Sequence, residues 1–137
     1  METRMLNYYM DEETYDIAHM HKKFGMTYNL KPKALNHETL MSRAEFIQEE
    51  VDELMRAIEQ NNYLEVIDAL VDIVVVVKGT AVMMGLKWKL HWKEVLRANL
   101  AKERGSNPKR PDLKEDLIKP LGWHGPSHSF VLNSYDR

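Results

Sequence analysis

Residues 48–86 read QEEVDELMRAIEQNNYLEVIDALVDIVVVVKGTAVMMGL, and the fold turns on how this stretch is read. Ahead of the double asparagine, Leu40, Ala44, Ile47, Val51, Leu54, Met55 and Ile58 recur at the three-and-four spacing of one helical face. That spacing predicts a helix over residues 38–60. Asn61-Asn62 then breaks it, because asparagine is a poor interior helix residue and a good cap. Beyond the break, Tyr63, Ile67, Leu70, Val74, Val77 and Ala81 continue the helical step as far as about residue 86. The run Val74–Val77 favours a strand on propensity alone, but the unbroken spacing through it carries the helix. A turn this short makes the two helices antiparallel neighbours.

Working outward, a first helix is expected over residues 11–24, ended by Gly25, which suits the left-handed turn after a helix. A link containing Pro32 follows. Gly85 closes the third helix, and a fourth covers residues 89–103, stopped by Gly105 and Pro108. Residues 105–137 hold four prolines and three glycines with no sustained periodicity, which predicts an irregular tail. No internal repeat or low-complexity tract interrupts the chain. The expectation is an all-α single domain over residues 1–137, an antiparallel four-helix bundle with 105–137 as its tail.

The chain has 137 residues, one domain's worth, and its net charge of −2 supplies no basic field for nucleic acid. It has no cysteine, which excludes disulfides and thiolate metal sites. Met1, Glu2, Thr3 and Arg4, followed by Asp11, Glu12 and Glu13, are too charged for a signal peptide's apolar stretch. The most apolar run, residues 70–86, carries Asp72 and Lys78 and is too short to span a bilayer comfortably. The expectation is a soluble cytoplasmic protein without nucleic-acid or membrane partners.

Six acids fall into two groups, Glu49, Glu50 and Glu53 before the turn and Glu65, Asp68 and Asp72 after it. At about 100° per residue, Glu50 and Glu53 share one flank of their helix, as Glu65, Asp68 and Asp72 do of theirs. The antiparallel turn can bring the groups face to face. Acids on helices are usually a solvated face, and Glu65 is well placed as the N3 partner of an Asn62 cap. Two observations argue for more. Glu50 borders the Ile47/Leu54 edge of the apolar stripe. The flank bearing Glu65, Asp68 and Asp72 continues into Val75, Val76, Gly79 and Met83, so these acids are expected to enter an interior. Converging carboxylates repel unless protons or a cation intervene, and all-oxygen ligation suits Mg²⁺ or Mn²⁺. There is no Glu-x-x-His of the di-iron bundles; Asp16-Ile-Ala-His19 is the nearest approach.

The arrangement Glu50-x-x-Glu53 then Glu65-x-x-Asp68 resembles the ExxE…ExxD signature of the all-α NTP pyrophosphatases, which include MazG-like enzymes, phosphoribosyl-ATP pyrophosphatase and dimeric dUTPases. The longer strings EEVDEL, EVIDALVDIVVVVKGTAVMMGL, EVLRANLAK and KPLGW are similar to phosphoribosyl-ATP-pyrophosphatase-like proteins often encoded by phages, over residues 16–132. Only eleven residues separate Glu53 from Glu65, at or just under the short end of that family's gap. The resemblance implies Glu50, Glu53, Glu65 and Asp68 as metal ligands. It implies Glu49 as the further acid that holds another metal or activates the water, hence the candidate base. It implies Asn99 and Lys102 as phosphate contacts. Asp72 either supports these ligands or is a polar residue at a subunit seam. Arg43, on the Glu50 flank, neutralises an acid or a phosphate.

What the resemblance implies for function is Mg²⁺-dependent cleavage of an NTP or dNTP to monophosphate and pyrophosphate by a homodimer or homotetramer. The competing readings are a non-catalytic helical interaction protein and a metal-binding regulator on the same scaffold. Intact acids in both motifs, with Asn99 and Lys102, speak for the hydrolase. Trp123, in KPLGW, either stacks on a base or anchors the tail. His124 and His128 have metal-like spacing in a Gly/Pro loop, and Phe24 is core or a base platform.

Overall fold

A computed structural model of the chain describes residues 9–136; the charged residues 1–4 noted above lie outside them. The first helix, α1 (Glu12–Lys23), starts where the Asp11 carboxylate accepts the Thr14 N–H at 3.3 Å and its hydroxyl at 2.5 Å. Glu12 and Glu13 occupy its first turn and Lys22 and Lys23 its last, each sign matched to the helix dipole. In α2 (His37–Glu59), the Asn36 side chain accepts the Thr39 N–H at 2.7 Å. The third helix, α3 (Tyr63–Met83), runs straight through the valine run, so spacing outweighs strand propensity there.

The two asparagines of the turn divide the work. Asn61 takes the left-handed conformation, φ 52°, and the Asn62 N–H donates back to Ala57 O at 2.9 Å, closing α2. The Asn62 side chain accepts the Glu65 N–H at 3.2 Å, opening α3. Gly85 ends α3 the same way at φ 64°, and a Cβ there would lie 2.1 Å from the Lys31 carbonyl oxygen, so only glycine fits. That close approach belongs to a strap, residues 26–33, across the end of α3. Its Asn29 Nδ2 donates to Met83 O at 2.6 Å and its Lys33 N–H to Met84 O at 2.9 Å, satisfying carbonyls that a helix end leaves open.

The contacts divide the chain into two compact units, Met1–Leu86 and Lys87–Arg137. In the first, α2 packs along α3 and α1 packs on α3. Ile17, Ala57, Ala69, Val76, Ala81 and Val82 form its buried apolar core. Lys78, 8% exposed, is kept charged there by Asp11 at 2.5 Å and Glu13 at 3.0 Å.

The second unit begins with α4 (Trp88–Leu100). The segment expected to be an irregular tail holds ordered elements. A two-stranded antiparallel ribbon pairs β1 (Glu103–Gly105) with β2 (Asp116–Ile118), and a short helix α5 (His128–Asn133) packs on α4. Strands of three residues and a helix of six are too short for apolar periodicity to register. The fourth helix also ends at Leu100, where residues up to 103 were expected, because the chain turns there into β1. The structure is otherwise all-α, as the spacing predicts. Among the described residues no single helix is long and apolar enough to cross a membrane.

Candidate functional site

Glu50 and Glu53 stand one turn apart on α2, and Asp72 stands on α3. Glu50 lies eleven residues before Asn61 and Asp72 ten beyond Asn62, so antiparallel pairing about that turn sets them side by side. One carboxylate oxygen from each of the three lies within 4.8 Å of the others. Glu50 and Asp72 are half-buried and Glu53 is exposed, which leaves the cluster open to solvent on one side.

Glu50 Oε2 is shut off from solvent and has no hydrogen-bond partner. A buried acceptor without a partner is costly. Burial first, and then the charges of Glu53, Asp72 and Glu49, push the Glu50 carboxyl above the usual carboxylate range. Burial likewise raises Asp72, with Asp68, Glu53 and Glu65 adding to it. Such a cluster is relieved by protons or by a cation. A donor set made only of carboxylate oxygens, one of them orphaned, fits a hard divalent ion.

Of the ligands expected from the sequence, the structure brings Glu50 and Glu53 together but completes the cluster with Asp72. Glu65 and Asp68 are exposed and stand outside the 4.8 Å group, near enough to raise Asp72. The expectation that all three α3 acids enter an interior therefore holds for Asp72 alone. Glu65 is the third residue of α3 and Asp68 the sixth, so both sit beside the exposed turn, whereas Asp72 lies one turn deeper, before buried Val76 and Gly79. The flank running from the three acids into Val76 and Gly79 was legible in the sequence, but it does not separate Asp72 from the other two. Glu49 is exposed beside the cluster.

Arg43 does not face the acids. Its Nε donates to Thr80 Oγ1 and its Nη2 to Val76 O, both at 3.0 Å, and its guanidinium lies 5.4 Å from the Phe46 ring centre. It ties α2 to α3 two turns before Glu50. Gly79 makes the crossing possible, since a Cβ there would meet Arg43 Nη2 at 2.8 Å and His21 Nε2 at 3.1 Å.

Asn99 and Lys102 belong to the second unit. Asn99 is exposed near the end of α4, and Lys102, in the turn beyond it, holds its Nζ 5.3 Å from the Trp123 ring centre. Trp123 is an anchor: its Nε1–H donates to Ala98 O at 2.7 Å. His128 pairs with His91 at 2.9 Å between Nδ1 atoms, and His124 is exposed. Phe24 is 66% exposed and is not core.

No curated protein matches the chain. The family model for phosphoribosyl-ATP pyrophosphohydrolase matches residues 17–99, a span that holds all six acids, Arg43 and Asn99, with Lys102 just beyond it. With well over half of its length in that match and its acids gathered on the α2–α3 hairpin, the chain belongs to the phosphoribosyl-ATP pyrophosphohydrolase family, within the MazG-like all-α NTP pyrophosphatases.

Proposed function

We propose that the protein is a divalent-metal-dependent pyrophosphohydrolase that cleaves an NTP or dNTP to the monophosphate and pyrophosphate. The observation that carries this reading is the carboxylate cluster of Glu50, Glu53 and Asp72 with its buried, unpartnered oxygen, on the scaffold of this family. Those three residues would hold the metal, Mg²⁺ or Mn²⁺, with Glu65 and Asp68 at the rim. When bound, such an ion offsets the substrate's negative charge and polarises its phosphoryl oxygens.

The chain's own residues supply the rest. A water oxygen adds to the α-phosphorus, the bond to the bridging oxygen breaks, and pyrophosphate leaves with that oxygen. Glu49, solvent-exposed next to Glu50, accepts the water's proton as general base. In the second unit, Asn99 and Lys102 are suited to phosphate oxygens, the ammonium as a point charge and the amide as a hydrogen-bond donor. Arg43 serves by holding α2 against α3.

The working form is a homodimer or homotetramer. Tyr63, Leu64, Ile67, Leu70, Val71 and Val74 present an exposed apolar strip on α3 that a second copy would cover. Light scattering at micromolar concentration should show two or four chains. The test of the chemistry is product identity with Mg²⁺ and in EDTA, over the common NTPs and dNTPs. Monophosphate and pyrophosphate, formed only with the metal, are expected. Release of diphosphate and orthophosphate, or full turnover in EDTA, would overturn the reading.

A further inference from the structure

The β1–β2 ribbon and the loop joining its strands enclose a cleft of about 460 Å³, lined by Lys102, Lys109, Arg110 and Lys119 with Asn107 and Asp116. Four cations and one acid therefore meet in one cleft of a chain whose net charge is −2. Asp116 is taken by Arg110, at 2.9 and 3.3 Å. Among the described residues no carboxylate lies within ion-pair distance of Lys102, Lys109 or Lys119.

The cations are held in place by the ribbon. Lys102 Nζ and Lys119 Nζ lie 5.3 and 5.0 Å from the centre of one ring, that of Trp123, which is fixed through Ala98 O. Asn107 Oδ1 accepts the Lys109 N–H at 3.0 Å, Asn107 O accepts the Arg110 N–H at 2.9 Å, and Asn107 Nδ2 donates to Leu117 O at 3.3 Å. One asparagine thus ties the turn bearing Lys109 and Arg110 to β2. Like charges gathered this way repel, and an anion relieves them. The cleft is in the size range of a small-molecule site, well beyond that of a single ion.

We infer that this cleft binds the phosphate chain of a di- or triphosphate, free or carried by a nucleoside. A single phosphate would leave some of the three unpaired lysines unmet, whereas a chain presents separate charges along its length. The inference stands on the ribbon's geometry and shares Lys102 with the proposed hydrolase, resting on that reading to that extent; the variants that test it leave Lys102 in place.

The test uses the full-length protein in EDTA, where the acid cluster repels anions. Inorganic tripolyphosphate, ATP and inorganic phosphate are titrated by calorimetry, and amide shifts are followed by ¹H–¹⁵N NMR. Tripolyphosphate should shift residues 102, 107–110 and 116–119. Lys109→Ala/Lys119→Ala, both at exposed positions, should weaken its binding at least tenfold, and binding should fall with added salt. Glu50→Gln should bind it as the unaltered protein does, so failure at the cleft and failure at the acid cluster are separable. Equal affinity for tripolyphosphate and ATP would identify the free chain as sufficient, and tighter ATP binding would identify the nucleotide as its carrier. Shifts confined to other residues, undiminished binding by the double variant, or inorganic phosphate binding as tightly as tripolyphosphate would overturn the inference. So would a duplex oligonucleotide outcompeting tripolyphosphate.

Discussion

Gly79→Ala is a substitution on which helix propensity and packing give opposite signs. In a helix interior alanine is favoured over glycine by about 1 kcal/mol. Here the new methyl would stand 2.8 Å from Arg43 Nη2 and 3.1 Å from His21 Nε2. His21 is 1% exposed and bound through Nδ1 to Thr27 O at 2.8 Å, so it has little room to give. Arg43 must move instead, losing its bonds to Val76 O and Thr80 Oγ1. Hydrogen bonds from a charged donor are worth about 1.5–3 kcal/mol each. The lower end applies, because Val76 O keeps the Thr80 hydroxyl at 2.9 Å. Two such losses less the propensity gain leave about 2 kcal/mol of destabilisation. In a chain of this size that lowers Tm by roughly 5–10 °C. Differential scanning calorimetry of Gly79→Ala, Arg43→Ala and the double variant reads it directly. In the Arg43→Ala background the same methyl should be neutral or stabilising by up to about 1 kcal/mol. A Gly79→Ala single variant as stable as the unaltered protein would refute the clamp.

Three further outcomes test the acid cluster. Glu50→Gln removes one charge while keeping shape, so turnover should fall by orders of magnitude and metal-free Tm should hold or rise; Glu59→Gln, outside both motifs on the same helix, should change little in either assay. Asp72→Asn should weaken Mg²⁺ binding, measured by calorimetry, more than Asp68→Asn does, and the reverse order would return the ligand set to the one read from the sequence. The pH dependence follows from the raised Glu50 and Asp72 carboxyls: the folded chain binds their protons more readily than the unfolded chain, so in EDTA this pair's contribution is lost as pH rises through the raised values. Glu94, held at about 2 by Arg97, acts oppositely, its contribution present above its ordinary 4.5 and lost as pH falls towards 2. Tm in EDTA should therefore be lower at pH 8 relative to pH 5 in the unaltered protein than in Glu50→Gln/Asp72→Asn, and saturating Mg²⁺ should remove that difference; the same pH dependence in both proteins would contradict it.

The sequence by itself determined the helices, because an apolar face at the helical step and an asparagine or glycine at each end are local properties. The α2–α3 hairpin was legible for the same reason: Asn61 and Asn62 close one helix and open the next within two residues. Glu50 and Glu53 could be named from their flank. The ribbon and α5 could not, since elements of three to six residues repeat too few times to show a period. Only the tertiary structure decided which acid completes the cluster. Glu65, Asp68 and Asp72 share one flank of α3, and a helical wheel ranks them equally. Depth along the hairpin separates them: solvent reaches the turn that carries the first two, while Asp72 is set against Glu50 and Glu53 where α2 and α3 are in contact. Arg43 shows the same limit, since the flank it shares with Glu50 was plain in the sequence, but the gap that draws it across to Val76 and Thr80 is made by Gly79 on another helix.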